Sequence, residues 1–121
     1  MNQEDIKNYE SKIFVQKQLQ IYPKASFEIL GFIRDFRYMQ RSANAVSVLE
    51  YQFLHGYCYY FAKILQDAFG GKLYLVPSAY HIIWSNDGRI FYDITGVCND
   101  HCNKSEIKEL TKKEAQNYKK I

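Results

Sequence analysis

The chain is poor in the residues that break structure or staple it. Among 121 residues there are two prolines, six glycines, three cysteines and one tryptophan. So little Pro and Gly leaves no low-complexity linker, and no internal repeat is visible. Three cysteines are an odd count with Cys58 far from the other two, which argues against a disulfide scaffold and for a reducing compartment, the cytoplasm. No run of about 18 apolar residues is present, so no membrane-spanning helix is expected. The first 25 residues carry Glu4, Asp5 and Glu10 without a continuous apolar run, so no secretory signal is expected. Charge of one sign is also lacking: 16 Lys and Arg face 13 Asp and Glu, a net +3. That balance does not indicate a nucleic-acid partner.

What is present is ordinary for one compact domain, except for its eleven Tyr and eight Phe. Residues 1–121 read as a single domain. It comprises a helical part over 1–55, a cysteine-bearing helix with a sheet over 56–96, and a helical tail over 97–121.

The apolar spacing predicts a helix over 3–21, with Ile6, Tyr9, Ile13 and either Phe14 or Val15 on one face. "YPKAS" ends it, because a residue before proline avoids the helical region. Ser26 is an N-cap candidate for a second helix striped by Phe27, Leu30, Ile33 and Phe36. "RSANA" is expected as a short connection. Residues 45–54 read as a third helix or, given Val46 and Val48, as a strand. A helix from Cys58 presents Phe61, Ala62, Leu65 and Phe69, and Gly70-Gly71 supplies its left-handed stop. The period then changes to two: "KLYLV", "YHIIWS" and "RIFYDI" are expected strands. A capping box at Thr111 opens a last helix. Helices, a small antiparallel sheet and a helix make the fold class α+β.

The "SNDGR" connection sets which side chains meet. A type I turn with Gly88 as a bulge would pair His81 with Asp93 and Ile82 with Tyr92. A two-residue turn at Asp87-Gly88 would pair His81 with Ile94 and put His81 and Asp93 on opposite faces. Both registers fit the letters.

A thiol at a helix start, an imidazole and a carboxylate together meet the demands of nucleophilic catalysis. The helix end and the imidazolium favour the thiolate, and the carboxylate orients the ring. Cys58, His81 and Asp93 occur in that order on the expected elements. "GYCYYFAKIL", "HIIW" and "DGRIFYDITG" resemble the cysteine helix, histidine strand and aspartate strand of the transglutaminase-like branch of the papain-like cysteine peptidase superfamily. The resemblance covers residues 52–96. It implies a minimal papain-like fold and thiol-dependent acyl chemistry: peptide or amide hydrolysis, glutamine deamidation or acyl transfer. A chain of 121 residues has little room for a second substrate-binding lobe, so one protein side chain or a small amide is the expected substrate, with no cofactor or metal. Gln52, six residues before Cys58, has the spacing of that superfamily's oxyanion-hole glutamine. The alternative is a catalytically silent binding protein of phage or mobile-element type that blocks a host protein through its tyrosines, among them Tyr57, Tyr59, Tyr60 and Tyr80. His55 is a substitute base. Cys98, His101 and Cys102 in "CNDHC" are zinc-type ligands, but three without a second knuckle read better as a loop with two exposed thiols.

Overall fold

The computed structural model describes residues 2–102 and 104–119. The order is α1 (Gln3–Ile21), α2 (Phe27–Tyr38), α3 (Ala43–His55), α4 (Cys58–Phe69), β1 (Lys72–Val76), β2 (His81–Ser85), β3 (Tyr92–Asp93), β4 (Gly96–Val97), β5 (Lys108–Glu109) and α5 (Lys112–Gln116). The fold is α+β, with these helices packed against an antiparallel sheet of strand order β4-β3-β2-β1-β5. No helix among the described residues is long and apolar enough to cross a membrane.

The helix starts follow their caps. Asn2, Ser26, Ser42 and Thr111 each accept a bond from a first-turn backbone N–H, and Thr111 closes a full capping box with Glu114. Ser42 explains why α3 is a helix and not a strand, and why it begins inside "RSANA". The expected faces of α1 and α2 are partly rotated. Phe14 and Val15 are the buried residues of α1, and Tyr9 is exposed. Phe27, at the first position of α2, is also exposed, while Ile29, Leu30 and Ile33 fill the core.

Gly70 and Gly71 end α4 at positive φ. A Cβ on Gly71 would lie 2.5 Å from the Ser85 carbonyl oxygen, so the chain can pass β2 here only without a side chain. The main core lies between the helices and one sheet face, and includes Leu65, Leu73, Ile82, Trp84 and Tyr92. A smaller cluster of Tyr74, Val76, Ile83, Phe91 and Cys98 covers the other face.

Arg37 is the buried cation that joins helices to sheet. Its Nη1 donates to Glu50 at 2.6 Å and to the Ile94 carbonyl at 2.8 Å, just beyond Asp93. Its guanidinium also lies over the Phe14 ring. Arg37→Met keeps much of the apolar stem but leaves the Ile94 carbonyl unpaired. A loss of about 1–3 kcal/mol in urea unfolding is expected, and an unchanged midpoint would contradict this role.

Candidate active site

The loop between β2 and β3 takes neither of the two registers that its sequence allows. Trp84 pairs with Tyr92, which places Ser85 across from Phe91 and leaves residues 86–90 as the loop. Ser85 and Asp87 hold this wider loop. Ser85 Oγ accepts from the Asp87 and Gly88 N–H groups and donates to the Ile90 carbonyl. Asp87 Oδ1 accepts from the Arg89 and Ile90 N–H groups. The regular strand is accordingly only Tyr92–Asp93, shorter than "RIFYDI" suggests.

The register is offset by two residues from the bulged one, so parity is preserved. Side chains alternate along a strand, and an even shift leaves His81 and Asp93 on one face as diagonal neighbours. His81 Nε2 lies 3.0 Å from Asp93 Oδ2, with both residues buried. The other aspartate oxygen accepts from the Thr95 N–H and hydroxyl, which fixes the carboxylate. His81 Nδ1 is buried without a conventional hydrogen-bond partner, which leaves it as the ring nitrogen available to the thiol.

Cys58 opens α4, whose N-cap Tyr57 supplies no side-chain bond to the helix end. The sulfur accepts from the Ile82 N–H at 3.4 Å, so the neighbouring strand residue ties the thiol to β2. Burial pushes the Cys58 thiol up, but interaction with His81 and the Ile82 N–H brings it below its ordinary value. Burial likewise pulls His81 down, and the bond to Asp93 together with the nearby Cys58 outweighs it, raising the imidazole to about 9. The opposite shifts both favour the thiolate–imidazolium pair over the neutral thiol and imidazole.

Cys58 lines a cleft of about 380 Å³ with Leu54, His55, Ala79, Tyr80, Asn117 and Tyr118 among its walls. Tyr80 is, among the described residues, the non-glycine residue at positive φ, 48°, and it packs edge-on against Tyr118 with ring centroids 5.4 Å apart. Lys119 also lines this cleft. None of Asn117, Tyr118 and Lys119 carries a sequence signal. They reach the cleft because α5 returns past β1 to the end of the sheet where β2 starts.

Gln52 is not brought to the thiol. Its side chain is exposed on α3 and absent from the cleft wall, while its backbone carbonyl accepts from the Gly56 and Tyr57 N–H groups. Six residues of spacing do not fix a direction when the chain breaks at Gly56. His55 does line the cleft. Of the tyrosines, Tyr59 is buried, Tyr57 is half exposed and Tyr80 is on the cleft wall. The expectation of two exposed thiols in "CNDHC" is corrected: Cys98 is fully buried and Cys102 partly so. Among the described residues no group of three or more His, Cys, Asp and Glu is arranged to hold a metal ion.

The molecule is thus an α+β protein in which a helix-start cysteine lines a cleft, with a buried strand histidine and its aspartate partner behind it. A family model described as phage YunG-like protein matches residues 29–121, and the chain belongs to that family. No curated protein and no solved structure matches it.

Proposed function

We propose that the protein is a cysteine-dependent acyl enzyme of the papain-like, transglutaminase-like type. The observation that carries this reading is the bridging position of His81, with Nε2 on Asp93 at 3.0 Å and its remaining ring nitrogen left to Cys58. In the reaction the Cys58 thiolate attacks a carbonyl carbon. The His81 imidazolium donates its proton to the leaving group as the thioester forms, and neutral His81 then takes a proton from the water or amine that releases the acyl group. Asp93 holds the ring orientation through both steps. Backbone N–H groups at the start of α4, next to the thiol, would serve as donors for the oxyanion in place of Gln52.

A cleft of this size suits one protein side chain or a small amide better than an extended peptide. The resemblance seen over residues 52–96 and the phage-type family support a cytoplasmic protein acting inside an infected cell. The test is incubation with p-nitrophenyl acetate. A stoichiometric burst of p-nitrophenolate with an acetyl group on the peptide of residues 42–63, which contains Cys58, is expected. Cys58→Ala should abolish the burst. No acyl group on that peptide in the folded wild type would overturn the reading.

The second reading is a binding protein that holds a host protein through its exposed tyrosines. Its support is the exposure of Tyr51, Tyr57 and Tyr80 at 66%, 48% and 73%. An unreactive Cys58 together with a partner retained by wild type and lost in Tyr80→Ala would favour it.

A further inference from the structure

Cys98 and Cys102 bracket the 3-10 turn Asn99–His101. The Cys98 carbonyl accepts from the His101 N–H at 2.9 Å, and the Cys98 N–H donates to the Phe91 carbonyl at 2.8 Å. The turn is further pinned from outside, since Tyr22 donates its hydroxyl proton to Asp100 and Asn99 bridges Phe91 and Arg89. This frame folds the two cysteines onto the same small apolar cluster, where Cys98 is fully buried and Cys102 packs at its edge. Interaction with Cys102 and burial hold the Cys98 thiol well above its ordinary value. Cys102 is drawn below its ordinary value, first by its interaction with Cys98. A partly exposed thiol with thiolate character beside a buried thiol is the arrangement of an attacking and a resolving cysteine.

We infer that Cys98 and Cys102 form a redox-active dithiol, which closes to a disulfide by exchange with a low-molecular-weight disulfide such as glutathione disulfide. The Cys102 thiolate attacks one sulfur of glutathione disulfide, breaking its S–S bond and releasing one glutathione thiolate. The Cys98 sulfur then attacks the Cys102 sulfur of the mixed disulfide and expels the second glutathione thiolate. Two protein sulfurs are oxidised and one disulfide is reduced: the single proton, that of Cys98, passes to the second departing glutathione sulfur, and the first glutathione thiolate takes its proton from water. Closing the bond to its length of about 2.05 Å requires Cys102 to swing inward, since Cys98 is the anchored partner. Cys102 also lies within electrostatic range of His81 and Asp93. The dithiol therefore adjoins the rear of the candidate active site without belonging to it, and it does not depend on the acyl-enzyme reading.

The experiment equilibrates folded protein in glutathione buffers of stepped ratio, quenches in acid, then unfolds and labels free thiols with N-ethylmaleimide. Trypsin releases residues 90–104 with both cysteines on one peptide, separate from Cys58 on residues 42–63. The expected result is loss of both labels from the 90–104 peptide, with a mass two hydrogens below the dithiol, while Cys58 stays labelled or carries glutathione alone. Cys98→Ser should stop at glutathione bound to Cys102. A wild-type 90–104 peptide that carries maleimide or glutathione at every ratio, with no internal disulfide, overturns the inference without reference to any variant.

Discussion

Replacing His81 with alanine is expected to slow iodoacetamide alkylation of Cys58 at pH 6 by about 100-fold or more. The thiol has two opposed influences. Burial raises it, and His81 with the Ile82 N–H more than cancels that rise. Removing the imidazole leaves burial opposed only by backbone N–H groups, so the thiol returns to about 8.5 or above, and each unit costs about tenfold in thiolate below that value. The wild type should therefore reach its plateau rate of alkylation at lower pH than His81→Ala, which alkylates only as pH approaches 9. Acyl turnover has a second limit that alkylation lacks. It needs the imidazolium as acid, and that proton is lost as pH rises through about 9. A bell is expected, with an acid limb where Cys58 protonates and an alkaline limb near 9. Asp93→Asn removes a bond that raises His81, so the alkaline limb should move to lower pH. Rate–pH profiles of the three proteins check this. Equal alkylation of wild type and His81→Ala at pH 6 would show that Cys58 is a core thiol.

The sequence allowed His81 and Asp93 either to share a face or to lie on opposite ones, and the shared face survives a register that neither turn predicted. Only the parity of the offset decides which side chains share a sheet face, and both the bulged turn and the observed loop have the same parity. What the letters of "SNDGR" do not convey is that Ser85 and Asp87 organise a wider loop from their own side chains. Local signals fared well where they are local in physics: the caps at Ser26 and Thr111, and the glycine stop at Gly70-Gly71. They failed where direction or distance matters. Gln52 has a suggestive spacing, but the last turn of α3 and the break at Gly56 aim its side chain outward. The wall at Asn117–Lys119 is placed by the two-residue strand β5 and the return of α5, neither of which has a periodic signature. Cys98 reads as a loop residue, yet β4 leads it under the sheet, where Phe91 and Ile83 cover it.

The position on which both the core and the site depend is Trp84, and Trp84→Ala is expected to cost about 3–5 kcal/mol in urea unfolding. The side chain is fully buried. Its ring lies 6.1 Å from that of Phe69 on α4 and 5.7 Å from that of Tyr92 on β3, and its indole N–H donates to the Gly70 carbonyl at 2.8 Å. One residue thus joins the end of the cysteine helix to the strands that carry His81 and Asp93. Alanine removes the ring contacts, opens a cavity and leaves the Gly70 carbonyl without its partner. Against a total stability of about 5–15 kcal/mol for a domain of this kind, the loss is a large fraction. Trp84→Phe separates the two contributions, because it restores most of the ring volume but not the N–H. It should fall between alanine and wild type, with roughly 1–3 kcal/mol remaining for the smaller ring and the orphaned carbonyl. If Trp84→Ala unfolds at the wild-type midpoint, the packing of α4 on β2 is not what holds Cys58 against Ile82, and the thiol's position must come from the α3–α4 junction at Gly56 instead.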